Sequence, residues 1–123
     1  MKQAKVLTID DSFLIRHQVR IALEEGGFEV HEAADGASAL ALLDAHSDYR
    51  LIVTDFSMPQ MNGIELLEAI RRRPAYARTP VLVLSTQSDS ELVRKAWELG
   101  IKGWIRKPFK AEFLLSAVRG LVS

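Results

Sequence analysis

The 123-residue chain contains no cysteine. That excludes a disulfide scaffold, a thiolate metal centre and thiol catalysis, and it suits a reducing compartment. Long apolar runs are missing as well: the longest are only a few residues, far short of the ~20 needed to span a bilayer. The opening Met1-Lys2-Gln3 passes straight into a strand-like run, which leaves no room for a signal peptide. The expectation is a cytoplasmic protein with no membrane partner. An excess of either charge is also absent, with 16 basic and 16 acidic residues, which argues against a general nucleic-acid binder. What remains is 48% hydrophobic and 26% charged, on a length suited to one domain that buries roughly two thirds of its unfolded surface. No linker, repeat or low-complexity stretch divides it, so residues 1–123 are read as a single domain.

The balanced charge is unevenly spread. Between Thr8 and Gln60 ten acids face three bases, whereas from Leu92 onward seven bases face two acids, Glu98 and Glu112. This pattern points to an acidic site contributed early and a basic surface contributed late.

Short apolar runs alternate with longer amphipathic stretches. Strands are expected at Lys5–Ile9, Glu29–Ala33, Leu51–Thr54, Val81–Leu84 and Gly103–Ile105. The runs VLTI, LIV and VLVL are apolar on consecutive residues, as strands buried on both faces of a parallel sheet are. Helices are expected at Ser12–Glu25, Gly36–Ala45, Gly63–Arg72, Glu91–Leu99 and Ala111–Val122, each with apolar residues at three-and-four spacing. Gly26-Gly27 and Gly100 follow helices where a left-handed cap belongs, Asn62 reads as an N-cap, and Ser88 or Ser90 is expected to cap the fourth helix. Five strand–helix units in strict alternation imply a doubly wound α/β sheet with right-handed crossovers.

In such sheets ligands bind at the carboxyl ends of the strands. Asp10 and Asp11 follow the first strand, Asp55 the third, Ser85-Thr86 the fourth and Lys107-Pro108 the fifth. Three carboxylates, hydroxyls and an ammonium would thus converge on one rim. Clustered carboxylates repel, and a cation is the main reason to gather them. The three histidines, His17, His31 and His46, lie elsewhere, and oxygen-only ligation with open positions suits Mg²⁺. The blander alternative makes Asp10 and Asp11 helix caps and Asp55 a turn residue, but it leaves Lys107 and Ser85 at the same rim unexplained.

Four elements carry a family resemblance: the Asp10-Asp11 pair, TDFSMPQMNG around Asp55, Ser85 after VLVL, and GWIRKPF holding Lys107. In their order and spacing the chain resembles a response-regulator receiver domain over nearly its whole length. The resemblance implies a flavodoxin-like fold, a five-stranded parallel sheet of order 2-1-3-4-5 with five helices. It implies that Asp55 is the phosphoacceptor, and that Asp11, Asp55 and the backbone carbonyl of Ser57 ligate Mg²⁺, with Asp10 acting mainly through a water. Lys107 would contact the phosphoryl oxygens, Ser85 would be the hydroxyl that moves onto them, and Trp104 would be the switch aromatic. The Lys107-Pro108 bond resembles one that is cis in the family. The implied partners are a sensor histidine kinase or phosphotransfer protein and a downstream protein target, with chemotaxis and the flagellar motor favoured over a phosphorelay intermediate. Thr86, where the family usually has Ala or Gly, is expected to narrow access for a phosphodonor. Ser57 and Gln87 occupy variable positions that tune the lifetime of the aspartyl phosphate.

These roles are physically coherent. A carboxylate attacking phosphorus needs both negative charges screened, which Mg²⁺ and a Lys ammonium supply. The aspartyl phosphate is a mixed anhydride, so its roughly −1.5 to −2 charges are temporary. If Ser85 shifts toward them, space opens for Trp104, a two-state switch biased by one charge change. Two other functions compete. An aspartate-nucleophile phosphohydrolase would carry DxD on strand one, and a partner-binding receiver without phosphorylation would not keep this charge set. Elsewhere, Arg71-Arg72-Arg73 reads as a solvated helix end. Trp97 reads equally as core filler or as part of a partner face with Trp104, Lys95, Lys102 and Phe113. Met58 and Met61 read as packing residues, and nothing beside His17 suggests a phosphohistidine.

Overall fold

A computed structural model describes residues 3–56, 62–86 and 90–122. The chain alternates β1 (Lys5–Ile9), α1 (Phe13–Glu25), β2 (Glu29–Ala33), α2 (Gly36–Ala45), β3 (Tyr49–Thr54), α3 (Gly63–Arg71), β4 (Val81–Ser85), α4 (Ser90–Glu98), β5 (Gly103–Arg106) and α5 (Ala111–Val122). A 3₁₀ turn, Pro74–Tyr76, lies between α3 and β4. All five strands are parallel, in the order β2-β1-β3-β4-β5. This is the flavodoxin-like topology expected.

The apolar strands sort their side chains by parity, because alternate residues face opposite sides of a sheet. Leu7, Ile9, Ile52, Val81 and Val83 pack with Ala39 and Leu43 of α2, Leu66, Leu67 and Ile70 of α3, and Ala96 of α4. Val6, Val30, Leu51, Val53, Leu82, Leu84 and Ile105 pack on the other face with Val19, Ala22 and Leu23 of α1 and Leu114 and Val118 of α5. Both faces are therefore dry, and the polar groups of the central strands are pushed to their ends. The fully buried polar residues Thr8, Asp10, Thr54, Asp55 and Ser85 all sit at or near carboxyl ends.

Helix starts follow local chemistry. Ser12 caps α1 by accepting from the Ile15 N–H, Asp35 caps α2 from Ser38, and Asn62 caps α3 from Glu65. Gly27 and Gly100 take φ of +92° and +86°, the left-handed turns read from the sequence, whereas Gly26 keeps φ −82°. One end each of α1, α3, β4 and β5, and both ends of α4, shift by one residue from the expected bounds, and two further differences concern Ser90 and Tyr49. Ser90 is the first residue of α4 rather than its cap, and Ser88 lies outside the described residues. Strand β3 begins at Tyr49, two residues early, because Tyr49 is buried and pairs with Lys5.

Candidate functional site

The strand order reverses about β1: β2 lies on one side and β3 on the other. Connections therefore leave β1 and β3 toward opposite faces and open a crevice at their carboxyl ends, where such sheets bind ligands. Register puts Ile9 opposite Thr54, so Asp10 and Asp55 are the next residues on neighbouring strands. The Asp55 N–H donates to Ile9 O at 2.9 Å, and the Asp10 N–H donates to Ala33 O at 3.1 Å. Strand pairing thus continues one residue past each strand and carries both aspartates in. Both are buried, at 3% and 4% exposure, while Asp11 next door is exposed.

Lys107 closes the site from β5, whose end is pinned beside β4 by the Lys107 N–H donating to Ser85 O at 3.1 Å. Because β5 lies two strands from β3, about 10 Å in a regular sheet, a long side chain is needed to cross. The Nζ donates to Asp10 Oδ2 at 2.8 Å and stands 3.5 Å from Asp55 Oδ2. The other Asp10 oxygen accepts from the Ser12 N–H at 2.9 Å. The Lys107-Pro108 bond is cis. Ser85 is fully buried between β3 and β5 at the same rim, and Thr86 beyond it is exposed.

Ligand oxygens of Asp10, Asp11 and Asp55 lie within 4.8 Å of one another. Three carboxylates and one ammonium leave a net charge of −2, which a divalent cation would neutralise. Hard oxygen donors are the set such a cation as Mg²⁺ prefers. The donors present fit it, and with both Asp10 oxygens already engaged, the exposed Asp11 offers a carboxylate for direct contact. Ser57 lies outside the described residues, as do Met58, Met61 and Gln87.

Trp104 of β5 pairs with Val83 in register and turns its ring to the α3–α4 face, meeting Phe56 edge-on with centroids 5.2 Å apart. Phe56 directly follows Asp55. The aromatic contact therefore begins one residue from the acidic centre. Trp97 on α4 is 48% exposed and Phe113 on α5 62%, so Trp97 lies at the surface rather than in the core.

A comparison with protein-family models matches residues 6–119 to the response regulator receiver domain. This chain belongs to that family. The receiver is 33% identical to the chemotaxis protein CheY1 of Helicobacter pylori over 111 residues, 89% of this chain and 90% of that protein. It is 38% identical to the chemotaxis protein CheY-3 of Vibrio cholerae over 114 residues, 92% and 87% of the two chains. Among solved structures, chemotaxis protein CheY4 of Vibrio cholerae superposes with a TM-score of 0.92 at 38% identity, covering 98% and 99% of the chains. Receivers of this kind belong to two-component signalling and are signalling proteins rather than conventional enzymes.

Three features escaped the reading of the sequence. Arg71 is not a solvated helix end: it is half-buried and donates to the carbonyls of Leu99, Tyr76, Thr79 and Gly100. Burial lowers its pKa from the usual guanidinium value. Arg73 forks onto Asp44 at 2.7 and 3.0 Å, leaving Arg72 as the exposed member of the run. Arg16 donates to the Asp10 carbonyl at 2.6 Å. Its signal was present as one of three bases in the acid-rich half, but a main-chain acceptor leaves no trace in a sequence.

Proposed function

We propose that the receiver is a phosphorylation-dependent switch in which Asp55 accepts a phosphoryl group from a sensor histidine kinase or phosphotransfer protein. The observation that carries this reading is the Lys107 ammonium held between Asp10 and Asp55 at a rim where three carboxylates gather. A carboxylate oxygen of Asp55 forms the new P–O bond while the donor's P–N bond breaks, and the electron pair leaves with the imidazole. Lys107 stays near enough to neutralise a phosphoryl oxygen, and positioning supplies most of the remaining rate. Asp11 and Asp55, with the Ser57 carbonyl and with Asp10 through a water, would hold Mg²⁺, which would supply charge neutralisation there.

Ser85 then offers its hydroxyl to the new oxygens, and Trp104 leaves Phe56 for the space behind it. That movement re-shapes the α4-β5-α5 region, in which Trp97, Phe113, Lys95, Lys102, Arg106 and Lys110 are all exposed. A downstream protein reads this face. The resemblance to chemotaxis proteins supports a role in chemotaxis, with the flagellar motor as the target in this reading and a phosphorelay intermediate as the alternative. The reading places the chain in the cytoplasm as a single receiver domain, and no described helix is long and apolar enough to cross a membrane. The phosphohydrolase alternative needs a strand-one nucleophile, and Asp10 has both oxygens engaged.

Intact mass after incubation with Mg²⁺ and acetyl phosphate tests the reading. One added phosphoryl group is expected, dependent on Mg²⁺ and lost in Asp55→Asn. No addition, from acetyl phosphate or from a phosphorylated kinase, overturns it.

A further inference from the structure

Arg16 stands on the first turn of α1 and reaches back over the loop that presents the acidic pair. Its Nη1 donates to the Asp10 main-chain carbonyl at 2.6 Å, and its Nε donates to Glu32 Oε1 on β2 at 3.2 Å. The two side chains are only 14% and 23% exposed. Glu32 also accepts from Arg20, which in turn holds Glu24. The guanidinium is thus fixed from behind by an ion-pair chain and donates forward to a neutral carbonyl rather than to a pocket carboxylate.

That carbonyl belongs to the peptide plane joining Asp10 to Asp11. A peptide unit is rigid and planar, so fixing its oxygen fixes the direction in which the chain enters Asp11. The other groups of Asp10 are held from three more places: its N–H by Ala33, Oδ1 by the Ser12 N–H and Oδ2 by Lys107. Asp11 differs. It is exposed, and among the described residues its side chain makes no hydrogen bond or ion pair. The backbone turn from which it hangs therefore sets the position of its carboxylate, and the Arg16 bond secures that turn.

We infer that Arg16 is a positioning residue for the divalent cation, aiming the Asp11 carboxylate into the pocket by clamping the Asp10–Asp11 peptide plane. The inference rests on the reading of this site as Mg²⁺-dependent. It makes a prediction opposite in sign to simple electrostatics. Removing a cation beside an acidic pocket strengthens Mg²⁺ binding by Coulomb attraction alone, whereas removing the clamp weakens it.

The test is a Mg²⁺ titration of the full chain followed by the amide NMR signals of Asp11 and Ser12, with phosphorylation by acetyl phosphate measured against Mg²⁺ concentration. Arg16→Gln is expected to weaken Mg²⁺ about 10-fold, the lower end of the effect of outer-shell partners. The Mg²⁺ concentration for half-maximal phosphorylation rises equally, and the rate at saturating Mg²⁺ is retained. Arg16→Lys keeps the charge but cannot fork to both acceptors, so it also weakens binding, by a smaller factor; it carries the test should the Gln variant not fold. Unchanged or tighter Mg²⁺ in a folded variant overturns the inference, as does a lost plateau rate with unchanged Mg²⁺ affinity. Failure of the wild-type chain to bind Mg²⁺ overturns the reading of the site and this inference with it.

Discussion

Single residues in this receiver do work that their type alone does not announce. Arg71 gathers carbonyls from the 3₁₀ turn, the loop before β4 and the end of α4, orphan acceptors that water would otherwise have to satisfy. Arg71→Gln is expected to lower stability by about 2–3 kcal/mol, from the net worth of bonds to a charged donor, measured by urea denaturation. A loss under about 0.5 kcal/mol would return Arg71 to the solvated surface. Glu32 makes a pH prediction. Burial pushes its carboxyl up, but hydrogen bonds from Arg20 and then Arg16 outweigh this and leave it below the usual value. A carboxyl depressed by folding contributes stability that is complete above its unfolded value, ~4.3, and is lost as pH falls through the folded value. The stability gap between wild type and Glu32→Gln should therefore be open at pH 6 and shrink below pH 4; a gap independent of pH would refute the assignment. Tyr49 is a further silent residue. Burial raises its phenol to about 12, and its hydroxyl shares a hydrogen bond with His31 Nδ1 at 2.6 Å while the other ring nitrogen pairs with Glu29 at 2.8 Å.

At the scale of elements, propensity and capping predict most of the outcome. Helices α2 and α5 and strands β1 and β2 have the bounds that periodicity implies. Helix α3 starts where Asn62 can accept the Glu65 N–H at 2.9 Å. What periodicity does not reveal is why Gly63 follows that cap. A Cβ there would lie 2.0 Å from Phe56 Cδ1, so the glycine admits the ring that in turn meets Trp104. Gly63→Ala is expected to cost about 1–3 kcal/mol through overpacking and to alter tryptophan fluorescence. Gly27→Ala makes the control, because a Cβ there meets open space and only the positive φ of +92° opposes it. That change should cost about 1 kcal/mol and leave the tryptophan signal unaltered. A loss at Gly63 no larger than that at Gly27, with the tryptophan signal unaltered, would show that the Phe56 ring gives way to the added Cβ without cost.

For the molecule as a whole, the sheet trades stability for a charged rim. Three acids and one ammonium share the ends of β1, β3 and β5, and their repulsion opposes folding until a cation arrives. A ligand that binds only the folded state stabilises by mass action, about 1.4 kcal/mol at ten times its Kd. For a domain of this size that raises Tm by roughly 5 °C. Mg²⁺ should give this rise in calorimetry, and Asp11→Asn should abolish most of it. An equal rise in the variant would place the cation elsewhere.

The order of strands and helices, the sheet's burial on both faces and the identity of Asp10, Asp11, Asp55, Ser85, Trp104 and Lys107 as candidates are all legible in the sequence. Apolar runs, caps and strand-end polar residues are local signals, and five alternations leave few topologies open. The reading also reached the acidic pocket, because β-strands end where their apolar runs end. Distances across that pocket, the inward turn of Trp104 onto Phe56, the carbonyl hub of Arg71 and the clamp of Arg16 on the Asp10 carbonyl were decided by tertiary structure alone. Each joins residues far apart in sequence or ends on a main-chain oxygen, and every residue carries the same main-chain oxygen. Side-chain type therefore cannot mark which one is used; only the packing of helices onto the sheet selects it.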